Sequence, residues 1–259
     1  MKHLKATVLG SAIAVATMVS GSALAIVVDN IQFNTGAVFQ SAQLYETQVG
    51  ANGDNLTGFG MINSINGNTH YCAGGGADCQ LTFTFTGYTV TSISPTQVVF
   101  SGGQITFYAY DSYVFDPSDP STASMGSVFL ETKGHTFSDP VNGVGTLIAT
   151  TSFPSSFLSD QFQGNGNGLL DVTGGDAQSI FDSNTFVDNL LGFADIQFIS
   201  DFSPNTCEGT RAPSPYNICG SATAKSVAVP EPNALGMMGL GLAGLAWLST
   251  RRRKGKKAA

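Results

Sequence analysis

Leu81-Thr82-Phe83-Thr84-Phe85-Thr86 alternates apolar and hydroxyl side chains without a break. Successive side chains of a strand point to opposite faces. Leu81, Phe83 and Phe85 are therefore expected in a core, with the three threonines toward solvent. Phe and Thr also favour the pleated backbone. This is a half-buried strand, and it sets the period for the rest of the chain.

Outward from it, the same period recurs between turn residues. Ile26 to Phe33 is expected as a first strand, ended by Asn34-Thr35-Gly36. Leu44 to Val49 and Leu56 to Ile65 read as a hairpin across Gly50-Ala51-Asn52-Gly53. Thr96 to Phe100 and Gln104 to Tyr110 read as a second pair about Ser101-Gly102-Gly103. In the latter strand Ile105, Phe107 and Ala109 point one way, Thr106, Tyr108 and Tyr110 the other. Val128 to Glu131, Thr146 to Thr151, Leu169 to Val172 and Ala194 to Phe198 supply further strands. Helix signals are confined to Pro154 to Phe162 and Asp176 to Phe181, with Asp176 as a candidate N-cap. Many short strands between turns predict an all-β fold, an antiparallel β-sandwich or related two-sheet architecture.

The chain's two ends follow other rules. Lys2 and Lys5 precede an apolar stretch, Val8 to Val19, and Ala23-Leu24-Ala25 supplies the small residues signal peptidase needs before Ile26. At the other end, Val229-Pro230-Glu231-Pro232 is followed by an apolar run, Ala234 to Leu248. Arg251-Arg252-Arg253-Lys254-Gly255-Lys256-Lys257 comes next. The prolines disfavour helix and keep the segment extended for a processing enzyme. Fifteen residues of helix span roughly 22 Å, short of the ~30 Å hydrocarbon core. The run is a temporary stop rather than a permanent anchor, its cations held in the cytoplasm. The expected organisation is a signal peptide (1–25), an exported β-rich domain (26–222), a linker (223–229) and a C-terminal signal (230–259) with a short transmembrane helix.

Pro-Glu-Pro, apolar helix and Arg cluster, in that order at the C-terminus, resemble the PEP-CTERM sorting signal of Gram-negative bacteria. The resemblance implies sorting residues Pro230, Glu231, Pro232, Arg251, Arg252 and Arg253, a transient stay in the inner membrane and cutting by an exosortase. It also implies delivery to the cell surface or extracellular matrix.

Processing at both ends changes the charge. Of the eleven Lys and Arg, removal of Lys2, Lys5 and the six tail cations leaves Lys133, Arg211 and Lys225. Against seventeen remaining carboxylates this gives the body a charge of about −14. Such a surface repels nucleic acid and anionic headgroups, and tolerates divalent cations and neutral polysaccharide. All four cysteines lie in the exported body, where an even count predicts two disulfides. Proximity favours Cys72 with Cys79 and Cys207 with Cys219, each contributing roughly 2.5–3 kcal/mol by loop entropy.

A second resemblance covers most of the body. It rests on Leu56-Thr57-Gly58-Phe59-Gly60-Met61-Ile62-Asn63-Ser64-Ile65-Asn66-Gly67, Tyr71-Cys72 and Cys79-Gln80-Leu81-Thr82-Phe83. Gly102-Gly103-Gln104-Ile105-Thr106-Phe107-Tyr108 and Phe115-Asp116-Pro117 continue it. Gly166-Asn167-Gly168-Leu169-Leu170-Asp171-Val172-Thr173-Gly174-Gly175 and Phe193-Ala194-Asp195-Ile196-Gln197-Phe198 complete it. Together these resemble the flocculation-associated PEP-CTERM family, which implies a surface or matrix component of exopolysaccharide-producing bacteria.

The chemistry of the body points away from catalysis. Its histidines are His70 and His135, and it has no Gly-x-Ser-x-Gly, His-Glu-x-x-His or phosphate-cradling loop. Oxidised cysteines supply no thiolate. The expectation is a protein that is not an enzyme, needs no cofactor and has no metal centre, with exopolysaccharide as its partner. Two alternatives stand beside it. One is a calcium-dependent carbohydrate-binding module using Asp116, Asp119, Asn165, Asn167 and Asp171. The other is a secreted glycan-processing enzyme built on a carboxylate pair. Tyr108 and Tyr110, sharing a strand face with Thr106, are the candidate glycan-stacking rings.

Overall fold

The computed structural model describes residues 25–75, 78–94, 97–135, 137–139, 143–145, 147–152, 163–188, 192–203 and 213–228. Its strands are β1 (Ile26–Val28), β2 (Ile31–Phe33), β3 (Gly36–Glu46), β4 (Asn55–Ile62), β5 (Ser64–Ile65), β6 (Gln80–Ser94), β7 (Gln97–Tyr110) and β8 (Ser127–Gly134). They continue with β9 (Phe137–Asp139), β10 (Gly143–Gly145), β11 (Leu147–Ser152), β12 (Gln163–Gly174), β13 (Phe186–Asp188), β14 (Gly192–Ala194), β15 (Ile196–Ser203) and β16 (Ile218–Val227). One short helix, α1 (Gln178–Phe181), lies between β12 and β13.

The expected antiparallel all-β fold is present, and its main sheet closes on itself. In order around the ring run β12, β15, β16, β3, β4, β6, β7 and β8, and β8 returns to β12 through Gly134↔Leu170 and Thr132↔Val172. Farther along, β11 fills the gap between β7 and β12, with Leu147 opposite both Phe100 and Gly168. Closure satisfies the backbone groups that an open edge would leave unpaired.

Alternation delivers the barrel interior. Phe39, Leu81, Phe83, Phe85, Ile105 and Phe107 are buried in one cluster. α1 closes one end by inserting Phe181 against Phe33, Phe39 and Phe129, with ring centroids 4.9, 5.7 and 6.2 Å apart. Gly58 and Gly60 of β4 make room for rings from β6. A Cβ on Gly58 would lie 2.2 Å from Phe85 Cζ, and one on Gly60 would lie 2.5 Å from Phe83 Cζ.

The structure differs from the sequence expectations at several named places. Ile26 to Phe33 is a hairpin, β1 with β2, because Asp29 and Asn30 both take positive φ (47° and 63°) and turn the chain. Ser101-Gly102-Gly103 is no hairpin turn: β7 continues through it, paired to β6. Gly87 and Gly103 face each other with φ of 76° and 92°, so both strands bend at one corner beneath the Tyr88 ring. The 223–229 linker expected from sequence is instead strand to Val227, since β16 sits between β15 and β3. Helix α1 is present, but its N-cap is Ala177 and Asp176 gives no cap bond. The helix expected over Pro154 to Phe162 lies outside the described residues.

Thr82 also departs from expectation, being fully buried rather than in solvent. The segment Asp111 to Gly126 folds over the outer face of β4, β6 and β7. Thr82 Oγ1 donates to Ala123 O at 2.7 Å, and Gln80 Oε1 accepts the Val114 and Phe115 N–H groups at 2.9 Å. Beneath it, Tyr45, Phe59, Met61, Phe115 and Ala123 form a second apolar cluster outside the barrel. β4 is thus buried on both faces, glycines inward and Phe59 and Met61 outward.

Candidate functional site

The functional region begins where β16 ends. Val227 pairs with Gly36, and the Ala228 N–H donates to Thr35 O at 2.6 Å. Pro230 is therefore the third residue after a strand held between β15 and β3. Ile26 stands at the same rim: it pairs with Phe33, three residues before Gly36. Of the expected signal-peptidase residues, Ala25 is exposed immediately before β1, and Ala23 lies outside the described residues. Ile26, before which signal-peptidase cutting is expected, and Ala228, where the matched motif begins, thus stand at one end of the barrel.

The family comparison falls on this junction. A model described as the PEP-CTERM protein-sorting motif matches residues 228–253. The chain carries a PEP-CTERM sorting motif. No curated protein and no solved structure gives a significant match. The PEP-CTERM motif marks an exosortase-sorted protein, exported toward the surface or beyond. Pro230, Glu231, Pro232, Arg251, Arg252 and Arg253 lie within the matched stretch but outside the described residues. So does the apolar run; no helix among the described residues is long and apolar enough to cross a membrane.

Processing gives a direct expectation. Mass spectrometry of exported protein should show an N-terminus at Ile26 and a C-terminus near Val229 to Pro232. Replacing Pro230, Glu231 and Pro232 with alanine should leave the chain at the inner membrane. Arg251 to Lys257 intact on the extracellular form would sink the sorting assignment.

The remaining candidate residues are distributed over the barrel. Cys72 and Cys79 form a disulfide, with Cα atoms 5.5 Å apart. Cys219 is also disulfide-bonded, and its expected partner Cys207 lies outside the described residues. The expected glycan face is covered at one end. Tyr110 is buried under Pro120–Ser124, its hydroxyl donating to Thr122 O at 2.6 Å and accepting the Met125 N–H at 2.5 Å. Thr106 is buried as well, and Tyr108 is half-buried. The ring that sequence reasoning missed is Tyr113, 67% exposed on the covering segment. An aromatic in a Pro- and Ser-rich loop was the available signal.

The oxygen ligands proposed for calcium do not converge. Asp116 Oδ1 accepts Ser118 N–H and Oγ–H, and Asp119 Oδ1 accepts Ser121 N–H and Oγ–H, so each carboxylate shapes its own turn. Asn165 and Asn167 belong to β12 rather than to a loop, and Asn165 Nδ2 donates to Asp201. Asp171 pairs with His135, whose Nδ1 lies 2.8 and 3.0 Å from its two oxygens. His135 Nε2 is buried with no hydrogen-bond partner among the described residues. His70 is exposed, its N–H donating to Asn68 Oδ1 at 2.9 Å.

Three further carboxylates were not singled out by sequence. Glu46, the last residue of β3, is buried, and burial pushes its carboxyl up to about 8. Asp195 is buried with three backbone donors: Val172 N–H at 2.8 Å, Ser183 N–H at 2.8 Å and Asn184 N–H at 2.6 Å. At the processing rim, burial and the neighbouring Asp176 carboxylate together raise Asp29 above the usual carboxylate range.

Proposed function

We propose that the barrel is a non-enzymatic component of the exopolysaccharide matrix, released or displayed by exosortase processing, and that it promotes flocculation. The observation that supports this most is a sorting motif joined directly to a closed barrel. The interior of that barrel is filled by interlocking phenyl rings. A packed interior leaves the outer surface to make contacts. The resemblance of the body to flocculation-associated PEP-CTERM proteins agrees.

A body near −14 repels its own copies, and a Debye length of ~8 Å only partly screens this. Aggregation then needs a neutral glycan bridge or shared divalent cations. Glycan contact is the better supported, because Asp54, Asp116, Asp119 and Asp195 already accept backbone N–H groups of their own chain. Tyr113, with half-buried Tyr108, offers rings that can stack on sugars. Deleting the gene should reduce flocculation, and the intact chain should restore it where the Pro230/Glu231/Pro232→Ala form does not. Tyr113→Ala with Tyr108→Ala should weaken binding to purified exopolysaccharide while a chelator changes little. Dispersal of flocs by chelation, with glycan binding by the double variant intact, would instead establish cation bridging.

The secreted glycan-processing enzyme has one observation in its favour, the His135–Asp171 pair, whose Nε2 has no hydrogen-bond partner among the described residues. Turnover of the native exopolysaccharide that disappears in Asp171→Asn would establish that reading.

A further inference from the structure

Four apolar side chains are exposed around the processing rim: Val27 (51%), Val187 (62%), Phe193 (58%) and Val227 (42%). Val187 and Phe193 are cross-strand partners on the hairpin of β13 and β14, which among the described residues pairs with no other strand. Phe193 comes three residues before Ile196, whose partner is Ser226, the neighbour of Val227. Val27 lies on the hairpin that leads through Phe33 to Gly36, the partner of Val227. Register thus places all four at the end of the barrel from which the sorting motif departs.

The length of the connection decides what this end meets. From Ala228 to Ala234, the first residue of the apolar run, there are six peptide steps. Fully extended they reach at most about 20 Å. The headgroup layer beside the hydrocarbon takes roughly 6 Å of that. β16 has ten residues, so the opposite end of the barrel stands about 30 Å farther away. The N-terminal apolar stretch, Val8 to Val19, leaves the barrel from this same rim through Ala25 and Ile26. Two membrane-directed segments therefore hold one end of the barrel toward lipid.

We infer that, in the anchored precursor, the rim bearing Val27, Val187, Phe193 and Val227 docks on the bilayer surface. This rests on the reading that the run from Ala234 to Leu248 inserts. The favoured surface is zwitterionic, because Asp29 and Asp176 at the same rim repel anionic headgroups. Docking holds the Pro-Glu-Pro segment at the interface while it remains joined to a folded strand. After cutting, no segment holds the rim at the membrane, and a few apolar side chains bind too weakly to retain the acidic body.

The test uses the full chain in phosphatidylcholine vesicles with brominated acyl chains, which quench tryptophan. Trp247, the chain's single tryptophan, is first changed to Phe. Phe193→Trp and Asn52→Trp then report on the two ends of the barrel, both at exposed positions. With the chain co-floating with vesicles, emission from Phe193→Trp should be lost and that from Asn52→Trp retained. Co-flotation with no quenching at Phe193→Trp, or equal quenching at both, overturns the docked orientation while the insertion reading stands. Emission at Phe193→Trp that changes with protein concentration but not with brominated lipid assigns the face to a second copy, and also overturns it. A chain that does not co-float sinks the insertion reading and the docking with it.

Discussion

Glu46→Gln should unfold at a higher temperature than the unaltered chain at pH 9, and at the same temperature at pH 4. Leu44 points into the barrel and Tyr45 packs in the outer cluster, so alternation returns Glu46 to the interior. Burial raises its carboxyl from 4.5 to about 8. Below pH 4.5 both folded and unfolded chains hold the proton, and the residue makes no pH-dependent difference. Between 4.5 and about 8 the unfolded chain releases its proton while the folded chain keeps it, so stability falls as pH rises. Above about 8 the full penalty applies, of order 4–5 kcal/mol at 1.36 kcal/mol per pH unit. A neutral amide of the same shape removes the penalty, and for a domain of this size that is about 10 °C in Tm. Calorimetry of both chains from pH 4 to 9 reads the difference directly. Parallel curves across that range would show that Glu46 ionises freely in the folded barrel.

Glu46 also shows where the sequence stops being readable. Its stretch, Leu44-Tyr45-Glu46, is apolar on both sides of the strand, and a lone acidic residue there looks like a solvent position. β6 was legible because only its inner face is apolar, so the alternation is clean. β4 was legible as a strand but not in its surroundings: Phe59 and Met61 look like the core face, while Gly58 and Gly60 are the ones turned to the barrel interior. A strand apolar on one side and glycine on the other is buried on both, and only the fold of Asp111 to Gly126 reveals what covers it. β16 was hidden for a different reason. Its interior residues, Ala222 and Ala224, are small. The stretch from Thr223 therefore looks like the start of a polar linker, although as far as Val227 it runs through the middle of the sheet. Misreading it as a linker also concealed how closely the sorting motif follows the folded body. The candidate site itself was the most legible part of the chain, since Pro-Glu-Pro, an apolar run and cations are recognised by composition and order, without any packing. The tyrosine face was the least legible, because the segment covering Tyr110 lies 10 to 15 residues downstream and carries no period.

Asp195→Ala should cost about 3–5 kcal/mol of stability, a large part of the roughly 5–15 kcal/mol a domain possesses. The carboxylate ties together parts of the rim that no other described side chain joins in this way. Oδ2 accepts the Val172 N–H of β12, and Oδ1 accepts the Ser183 and Asn184 N–H groups that follow α1. The same residue's carbonyl accepts the Ser226 hydroxyl at 3.2 Å, reaching β16 beside the sorting junction. Truncation leaves three donors without their acceptor at a site that is 3% exposed, and each unmet buried donor costs about 1–3 kcal/mol. Asp195→Asn separates charge from geometry. Its remaining carbonyl oxygen can still accept at the Oδ1 position, but the amide nitrogen presents hydrogens to Val172 N–H, so roughly half the loss is expected. Urea unfolding of the three chains should rank them in that order, with a loss under about 1 kcal/mol for Asp195→Ala refuting the clamp. The local consequence is as telling as the global one. Ser183 and Asn184 amides should exchange faster in both variants than in the unaltered chain, because these donors anchor the base of the β13–β14 hairpin. Loosening that hairpin frees Val187 and Phe193 from the rim while leaving the sorting motif untouched. Asp195→Asn in vesicles should therefore keep the chain membrane-bound yet weaken the docking of its barrel.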